Sequence, residues 1–281
     1  MRQASGDRNR AHVTGRTGRA LVTGASRGIG KAIAEALVKD GWEVVGTCRN
    51  HRRLAVKDMA AGVRYFSLDL GNEAGIDALV KAVGDVDLLV NNAGESPIGP
   101  AEEIPIRKMR NHFQVNFFGP VRLTQGVLPG MRKRRRGMVL FIGSIRSEAP
   151  SPFSSIYSAS KSAIRSFAEC LRLELTGTGV RVSVAAPWYI RTGLPQEMLA
   201  GEKSPYAEAM KAVKEERNRR IARAPDPSTV ARAVLRLVNR RDPPPFTVIG
   251  KPLLTFFVRH APRALVAGVS ARWTGMQPLR A

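Results

Sequence analysis

The stretch that decides the fold is Arg19-Ala20-Leu21-Val22-Thr23-Gly24-Ala25-Ser26-Arg27-Gly28-Ile29-Gly30. Its first five residues, with the apolar run Ala20-Leu21-Val22 at their centre, are typical of a short buried strand. After Gly30, apolar side chains recur at helical spacing, at Ile33, Ala34, Leu37 and Val38. Glycines between a strand and a helix let the backbone turn tightly and approach a pyrophosphate at the helix N-terminus. The alternative, a glycine-rich turn that binds nothing, fits this context less well.

The rest of the chain continues this alternation of strand and helix. Further strands are predicted over 43–47, 63–68, 86–90, 138–142, 181–185 and 246–249, with long helices over 107–131 and 156–175. Strands that are apolar on both faces call for a parallel sheet covered by helices on both sides. We therefore predict one α/β domain over 19–250, a Rossmann-type doubly wound parallel sheet, with an irregular substrate loop at about 188–226.

The two ends of the chain differ from this domain. Residues 1–18 are basic and polar, and we interpret them as a disordered leader. Residues 251–281 form an amphipathic extension in which apolar residues alternate with Arg259, Arg263 and Arg272, and Trp273 lies near the end. Such a segment can lie in a membrane interface, while the alternative is a helix packed on its own domain or on a partner subunit.

Composition narrows the class of protein. The chain has 281 residues and a formal net charge of +22, which suits nucleic acid, an anionic membrane or an anionic cofactor. The densest basic cluster, 132–136, is interpreted as a solvated loop, and no nucleic-acid-binding motif accompanies it. Cys48 and Cys170 imply no disulfide framework, so we expect a cytoplasmic protein. The sequence contains no run of about 20 apolar residues, so it predicts no membrane-spanning helix.

Tyr157 and Lys161 stand four residues apart in Tyr157-Ser158-Ala159-Ser160-Lys161. Residues at this spacing share one face of a helix, so the lysine ammonium is expected beside the phenol. An ammonium there stabilises the phenolate, and the tyrosine can then exchange a proton with an alcohol or carbonyl oxygen. The pair therefore predicts acid–base chemistry on such an oxygen.

Several other motifs stand in a fixed order around this pair. Asn91-Asn92-Ala93-Gly94 follows the fourth predicted strand, Asn116 lies in the first long helix, and Ser144 ends the fifth strand. With the Thr-Gly-x-x-x-Gly-x-Gly turn and the Tyr-x-x-x-Lys pair, this order resembles the short-chain dehydrogenase/reductase family. The similarity runs from about residue 19 to about 195, and more loosely to about 250.

The resemblance implies a catalytic tetrad of Asn116, Ser144, Tyr157 and Lys161. Tyr157 would donate or accept the proton, and Ser144 would hold the substrate oxygen. Lys161 would support Tyr157 and bind the nicotinamide ribose, while Asn116 would connect Lys161 to solvent through a water. The hydride would come from a nicotinamide cofactor.

The resemblance also implies the cofactor contacts, and it implies no metal. Asp69 would contact the adenine amine, and Ile190 and Thr192 the carboxamide. The expected cofactor-binding residues are Gly24, Ser26, Arg27, Gly28, Ile29, Gly30, Arg49, Asp69, Leu70, Asn92, Ala93, Gly94, Tyr157, Lys161, Pro187, Ile190 and Thr192.

The end of the second strand indicates which nicotinamide cofactor is used. An NAD site usually has an acidic residue there, for the ribose hydroxyls. Here Cys48 holds that position and Arg49 follows it. Arg27 lies in the glycine turn, and two guanidinium groups suit a 2′-phosphate. We predict NADP(H) rather than NAD(H); the alternative is that Arg49 is a surface residue and specificity is dual.

The chain departs from the family pattern at Trp188, where a glycine usually follows Pro187. A ring there could narrow the substrate mouth, stack on a substrate, or tilt the loop and weaken cofactor binding. Arg146 and Glu148 replace the small residues that are common after the catalytic serine, and they either line the pocket or lie on the surface.

The sequence thus predicts an NADP(H)-dependent oxidoreductase that interconverts a carbonyl and an alcohol. A lipophilic small-molecule substrate is expected if the C-terminal extension meets a membrane. The family resemblance implies a homodimer or homotetramer through the helices at 105–131 and 156–175. The alternatives are a non-catalytic NADP(H)-binding regulator or scaffold, and a binder of nucleic acid or membrane driven by charge.

Overall fold

The computed structural model describes residues 18–193, 197–199, 201, 203–262, 264–266 and 268–269. Most of the predicted leader and the end of the predicted C-terminal extension, with Arg263, Arg272 and Trp273, lie outside the described residues. Within them, the chain folds as a single α/β domain, as predicted.

One parallel sheet of seven strands, in the order β3-β2-β1-β4-β5-β6-β7, forms the centre of the described domain. The strands are β1 (Arg19–Val22), β2 (Glu43–Cys48), β3 (Val63–Ser67), β4 (Leu88–Asn91), β5 (Gly137–Ile142), β6 (Val180–Pro187) and β7 (Phe246–Ile249). The order reverses between β1 and β4, and ligands of such sheets bind where this happens, at the carboxyl ends of the strands.

Helices cover both faces of the sheet. They are α1 (Gly28–Lys39), α2 (Glu73–Val83), α3 (Ile106–Phe113), α4 (Gly119–Lys133), α5 (Ser155–Glu174), α6 (Ala207–Ala222), α7 (Ser228–Val238) and α8 (Pro252–His260). One buried cluster joins α1 and α7 to the sheet, and a second joins α2, α4 and α5 to the opposite face. Two buried faces explain why the central strands are apolar on both sides.

The structure differs from the prediction in two elements. The helix predicted over 107–131 contains a π-helical turn, Gln114–Phe118, between α3 and α4. Pro120 has no N–H, so the carbonyl of Asn116 lacks its usual donor four residues on, and the helix widens there. Helix α7 was not predicted, although its apolar residues line one face and are buried against α1.

The basic cluster at 132–136 lies at the amino-terminal edge of the sheet. Arg134 pairs with Asp85, and Arg136 Nε lies 3.1 Å from Asp87 Oδ1. Arg135 donates to the carbonyl of Gly177 at 3.0 Å. Three of the five basic side chains are therefore engaged in local contacts and are not simply solvated.

The described part of the chain offers no helix that is both long and apolar enough to cross a bilayer. Within the same residues, no group of three or more His, Cys, Asp or Glu side chains could hold a metal ion.

Gly30 lies where the turn after β1 approaches the segment after β4, and this approach depends on the absence of a side chain. A Cβ at this position would lie 2.2 Å from the carbonyl oxygen of Gly24 and 2.4 Å from Asn92 Nδ2. Gly75 is a matched contrast in the first turn of α2, because a Cβ there would come no nearer than 3.4 Å to the Asn72 side chain.

We predict that Gly30→Ala lowers the free energy of unfolding by about 2 kcal/mol or more, since backbone atoms must move to admit the methyl group. Gly75→Ala should be neutral or stabilising by up to about 1 kcal/mol, because it replaces a flexible residue in a helix. Urea unfolding followed by circular dichroism measures both. Equal stability of Gly30→Ala and the unaltered protein would contradict the role given to Gly30.

Candidate active site

Thr23 joins the glycine turn to the segment that follows β4. Its Oγ1 accepts hydrogen bonds from the backbone N–H groups of Asn92 (2.9 Å) and Ala93 (3.0 Å). The Asn92 side chain in turn donates from Nδ2 to the carbonyl of Thr23 at 2.8 Å. Asn92 and Ala93, which were predicted to contact a cofactor, therefore also fix the shape of the turn.

The glycine turn leaves the N-terminus of α1 ready for an anion. Gly24 and Gly28 have φ of 68° and 55°, in the left-handed region that favours glycine. Arg27 precedes the helix, and no side chain caps its first N–H groups. Those free donors and the helix dipole fit a pyrophosphate. Tyr65, which the sequence analysis missed, steadies the turn by donating to the carbonyl of Ala25 at 3.0 Å.

Other predicted contacts in the turn behave differently. The Ile29 side chain is partly buried and packs against the core. Ser26 is partly buried in the turn. Arg27 is exposed, and its Nη1 donates to the carbonyl of Gly193 at 3.3 Å. Arg27 therefore reaches the segment after β6 in this conformation.

The ends of β2 and β3 carry the predicted adenosine contacts. Arg49 is exposed, and among the described residues it has no carboxylate partner. Burial raises the pKa of the neighbouring Cys48 thiol. Asp69 is exposed and accepts a hydrogen bond from the Gly71 N–H at 2.8 Å, whereas the Leu70 side chain lies in the core and leaves only backbone for a ligand.

Tyr157 and Lys161 lie together on α5, as the spacing predicts. Lys161 Nζ is 5.8 Å from the centre of the Tyr157 ring and donates to the carbonyl of Ile142 at 2.9 Å. Lys161 is buried, while Tyr157 remains partly exposed. The bond to Ile142 holds α5 against the end of β5, which Ser144 follows.

Asn116 occupies the middle of the π-helical turn, and its side chain is fully committed. Its Oδ1 accepts from the Glu95 N–H and its Nδ2 donates to the Glu95 carbonyl, both at 3.0 Å. The same Nδ2 lies 3.2 Å from His112 Nε2. These bonds connect Asn116 to the segment after β4, next to Gly94, where a Cβ would lie 3.1 Å from Asn116 Oδ1.

His112 is a buried residue of this site that the sequence analysis did not identify. Its Nε2 lies 3.0 Å from Ser160 Oγ, and its ring centre is 6.3 Å from that of Tyr157. Its Nδ1 lies 3.4 Å from a carboxylate oxygen of Glu95. The signal was present in the spacing, because His112 precedes Asn116 by one helical turn and Ser160 stands inside the Tyr-x-x-x-Lys motif.

Ser144 is buried at the carboxyl end of β5, and its Oγ accepts from the Arg146 N–H at 3.2 Å. The structure also shows where Glu148 and Arg146 lie, which the sequence left open between the pocket and the surface. Glu148 is buried and forms an ion pair with Arg165. Arg146 donates from Nη2 to the Tyr189 hydroxyl at 2.6 Å and lies over its ring.

The segment after β6 passes over the glycine turn. Pro187 ends β6, and Ile190 is buried in the core. Thr192 lies close to Gly28, where a Cβ would be 3.4 Å from the Thr192 side chain. Of these three predicted residues, Thr192 is the one whose side chain lies beside the turn.

The Trp188 ring packs against the C-terminal helix α8. Its Nε1 donates to Thr255 Oγ1 of α8 at 2.9 Å, and its ring packs in a cluster with Val258 and Ile145. The backbone N–H of Trp188 donates to the carbonyl of Ile249 at 3.1 Å. The large ring therefore anchors the C-terminal helix beside the site, which a glycine could not do.

A narrow cleft opens beside these residues, between the loop after β5 and α6. Arg146, Tyr189 and Arg217 line it together with Ile98 and Val213. Arg217 was not identified from the sequence, because it lies in the polar stretch at 188–226 that has no recognisable motif.

Comparison with known proteins agrees with this geometry. A sequence model described as short chain dehydrogenase matches residues 19–203. A 3-ketodihydrosphingosine reductase of Bacteroides thetaiotaomicron is 32% identical, over 85% of this chain and 90% of its own length.

Two solved structures are also similar. A short-chain dehydrogenase from Streptomyces avermitilis superimposes with a TM-score of 0.79 at 31% identity, over 92% of this chain and 97% of its own. A metagenomic short-chain oxidoreductase in complex with NADP gives a TM-score of 0.66 at 28% identity, over 83% and 96%. With the matched segment, the parallel sheet and the paired tyrosine and lysine, these likenesses show that the chain belongs to the short-chain dehydrogenase/reductase family of oxidoreductases.

Proposed function

We propose that this protein interconverts a carbonyl and an alcohol with NADP(H), using Tyr157 as the general acid and base. The observation that carries the proposal is the placement of Tyr157 and Lys161 together on α5, at the strand ends where the uncapped N-terminus of α1 can take a pyrophosphate. A nicotinamide cofactor bound there supplies or accepts the hydride.

The residues of the chain divide the remaining work. The turn at Gly24–Gly30 would hold the pyrophosphate, and Thr192 would lie against the nicotinamide end. Lys161, held by the carbonyl of Ile142, would support Tyr157 from the next turn of α5 and bind the nicotinamide ribose. Tyr157 would then pass a proton to or from the substrate oxygen, while the Ser144 hydroxyl hydrogen-bonds that oxygen and stabilises the charge it develops.

We expect Tyr157→Phe to lower kcat by a factor of about 100 or more, because removal of a general acid–base typically costs a factor of 10² to 10⁴. NADPH affinity should change little, since the hydroxyl is only one of many cofactor contacts. Stopped-flow or steady-state absorbance of NADPH measures turnover, and fluorescence titration measures binding.

Tyr206→Phe is the matched control for that variant. The Tyr206 hydroxyl bonds to Glu102 at the surface, and its ring packs on Phe153, so this change removes a hydroxyl outside the tetrad. It should keep near-normal kcat. Near-normal turnover of Tyr157→Phe would overturn the role given to Tyr157. NADPH binding without turnover in the unaltered protein would favour the second function, a non-catalytic NADP(H)-binding regulator or scaffold.

The preference for NADP(H) is supported by charge at the end of β2. Cys48 is uncharged where an acidic residue would bind ribose hydroxyls, and the exposed Arg49 beside it is free to meet a 2′-phosphate. The NADP complex of the metagenomic relative shows that a neighbour in the same fold takes this cofactor.

We predict that Arg49→Ala weakens NADPH binding by about tenfold or more while NADH binding changes little, because only NADPH carries the phosphate that Arg49 would pair with. Arg236→Ala, on the exposed side of α7, removes the same charge elsewhere and should change neither affinity. Isothermal titration of both cofactors gives, for each of the two variants, the NADPH and the NADH affinity relative to the unaltered protein. An equal loss for NADPH and NADH would overturn the assignment of Arg49.

Two exposed apolar surfaces support proposals about partners and location. On α3 and the π-helical turn, Phe113 and Phe118 border a groove of about 430 Å³, and Phe118 is 52% exposed. We propose that this surface forms a homodimer or homotetramer interface.

On α8, Val258 and Thr255 are buried against the domain, whereas Leu253 and Phe256 are 87% and 65% exposed.

We propose that this outer face of α8 meets anionic membrane, so that a cytoplasmic protein is held at the membrane surface near a lipophilic substrate. Such helices bind through apolar area assisted by basic residues, and the net charge of +22 favours an anionic surface. Nucleic-acid binding remains the less favoured use of this charge.

The two surfaces can be tested against each other with one pair of variants. We expect Phe118→Glu to lower the oligomer mass in analytical ultracentrifugation and to leave vesicle binding intact. Phe256→Glu should reduce co-sedimentation with phosphatidylserine vesicles and leave the mass unchanged. If the unaltered protein is a monomer, the proposed interface is wrong. If the unaltered protein does not co-sediment with phosphatidylserine vesicles, the proposed membrane contact is wrong.

A further inference from the structure

Arg146 and Arg217 are two cations of the cleft beside the proposed catalytic site. Arg146 Nη2 donates to the Tyr189 hydroxyl at 2.6 Å, and Arg217 Nη2 donates to Ser96 Oγ at 3.0 Å. Among the residues that the structure describes, neither guanidinium contacts a carboxylate. Their bonds are to neutral groups, so both positive charges remain uncompensated.

Glu216, the acidic residue that lines the cleft, is paired with arginines outside it. Glu216 lines the same space, but one carboxylate oxygen lies 2.6 Å from Arg220 Nε and the other 2.9 Å from an Arg219 nitrogen. Two arginines outside the cleft thus neutralise the carboxylate that could have paired with Arg217. The cleft keeps a net positive charge.

Burial makes that charge costly. Desolvation lowers the pKa of Arg217, and the nearby charge of Arg146 lowers it further, while the Tyr157 and Tyr189 oxygens act in the opposite direction. A guanidinium stays protonated in proteins, so the protein bears the cost of two like charges held close together in a partly dry site. An anion bound between them would remove that cost.

The cleft lies next to the reacting groups. Arg146 is two residues from Ser144, and its backbone N–H donates to the Ser144 Oγ. Arg217 lines the same cleft as Arg146 and Tyr189. A molecule whose carbonyl meets Ser144 and Tyr157 can therefore reach the arginines with another part.

The other side of the cleft is apolar. Ile98 and Val213 line it and continue into a buried cluster with Phe153 and Met210. The space between these side chains is about 10 Å³, room for about one water, so the long arginine side chains must spread to admit a head group. The lining suits an apolar body with one charged end.

We propose that Arg146 and Arg217 bind a carboxylate or phosphate group of the substrate, which makes the substrate an anionic carbonyl or alcohol compound with an apolar body. This inference rests on the proposed function for the identity of the reacting carbonyl. The guanidinium groups fix the charged end through charge-assisted hydrogen bonds, and the polar hydroxyl of Tyr189 orients Arg146.

Binding of unreactive probes tests the anion site without turnover. With the NADP⁺-saturated protein, octanoate should bind about tenfold or more tightly than octanamide, which has the same length and no charge; octyl phosphate in a third titration shows which oxyanion is preferred. Arg217→Gln and Arg146→Gln should each bring the octanoate to octanamide ratio towards one. Arg223→Gln, the same change at the exposed C-terminal end of α6, should keep the ratio of the unaltered protein.

Each outcome decides the inference. A ratio near one in the unaltered protein, no binding of octanoate or octyl phosphate at millimolar concentration, or an equal fall of the ratio in Arg223→Gln would overturn it. Circular dichroism of each variant at the same temperature separates loss of the site from loss of the fold.

Turnover separates this inference from the proposed function. With NADPH, kcat/KM for 8-oxooctanoate should exceed that for its methyl ester, and Arg217→Gln should reduce that preference. If the neutral ester is reduced as well as the acid, the carbonyl reductase stands and the anion site falls. If neither aldehyde is reduced while octanoate still binds selectively, the proposed function falls and the anion site stands.

Discussion

The close contact between the turn after β1 and the segment after β4 is the constraint on which the rest of the structure depends. Thr23 accepts two backbone hydrogen bonds from that segment, and Asn92 returns one to the turn. Gly30 permits this approach because a side chain there would overlap the Gly24 carbonyl. The contact fixes where α1 begins, and thereby where its free N–H groups point, at the place where the strand order of the sheet reverses.

The site combines groups held rigidly with groups left free to react. Lys161 and Asn116 are buried and bonded to backbone carbonyls, so their positions are set by the sheet and by the π-helical turn. Tyr157 is partly exposed beside them. In the proposed mechanism this arrangement would surround the proton of Tyr157 with fixed charge and dipoles, and preorganised electrostatics of this kind stabilise a transition state without rearrangement during the reaction. The widened turn at Asn116 fits the tendency of π-helical turns to occur at functional sites.

Local patterns predicted most of this frame. The strand–turn–helix at 19–30 and the alternation after it predicted the parallel sheet, because each strand must be apolar on both faces when helices cover it. The π-helical turn was missed since a single proline had to be weighed against a long helical pattern. Arg217 was missed for another reason: its importance comes from Ser96, 121 residues away in sequence, and no local spacing reports such a contact. His112 contacts Ser160, 48 residues away, and its spacing from Asn116 was the one local signal for it.

Arginine side chains have different partners at the two edges of the sheet. At the amino-terminal edge of the sheet, Arg134 is paired with Asp85 and Arg136 with Asp87. These ion pairs neutralise the two arginines and hold the strand ends together. At the carboxyl edge, Arg49, Arg146 and Arg217 have no carboxylate partners among the described residues. Unpaired cations at this edge of the sheet create a field that draws anions towards it. The cofactor with a pyrophosphate and the substrate with a charged end that are proposed above would both follow that field.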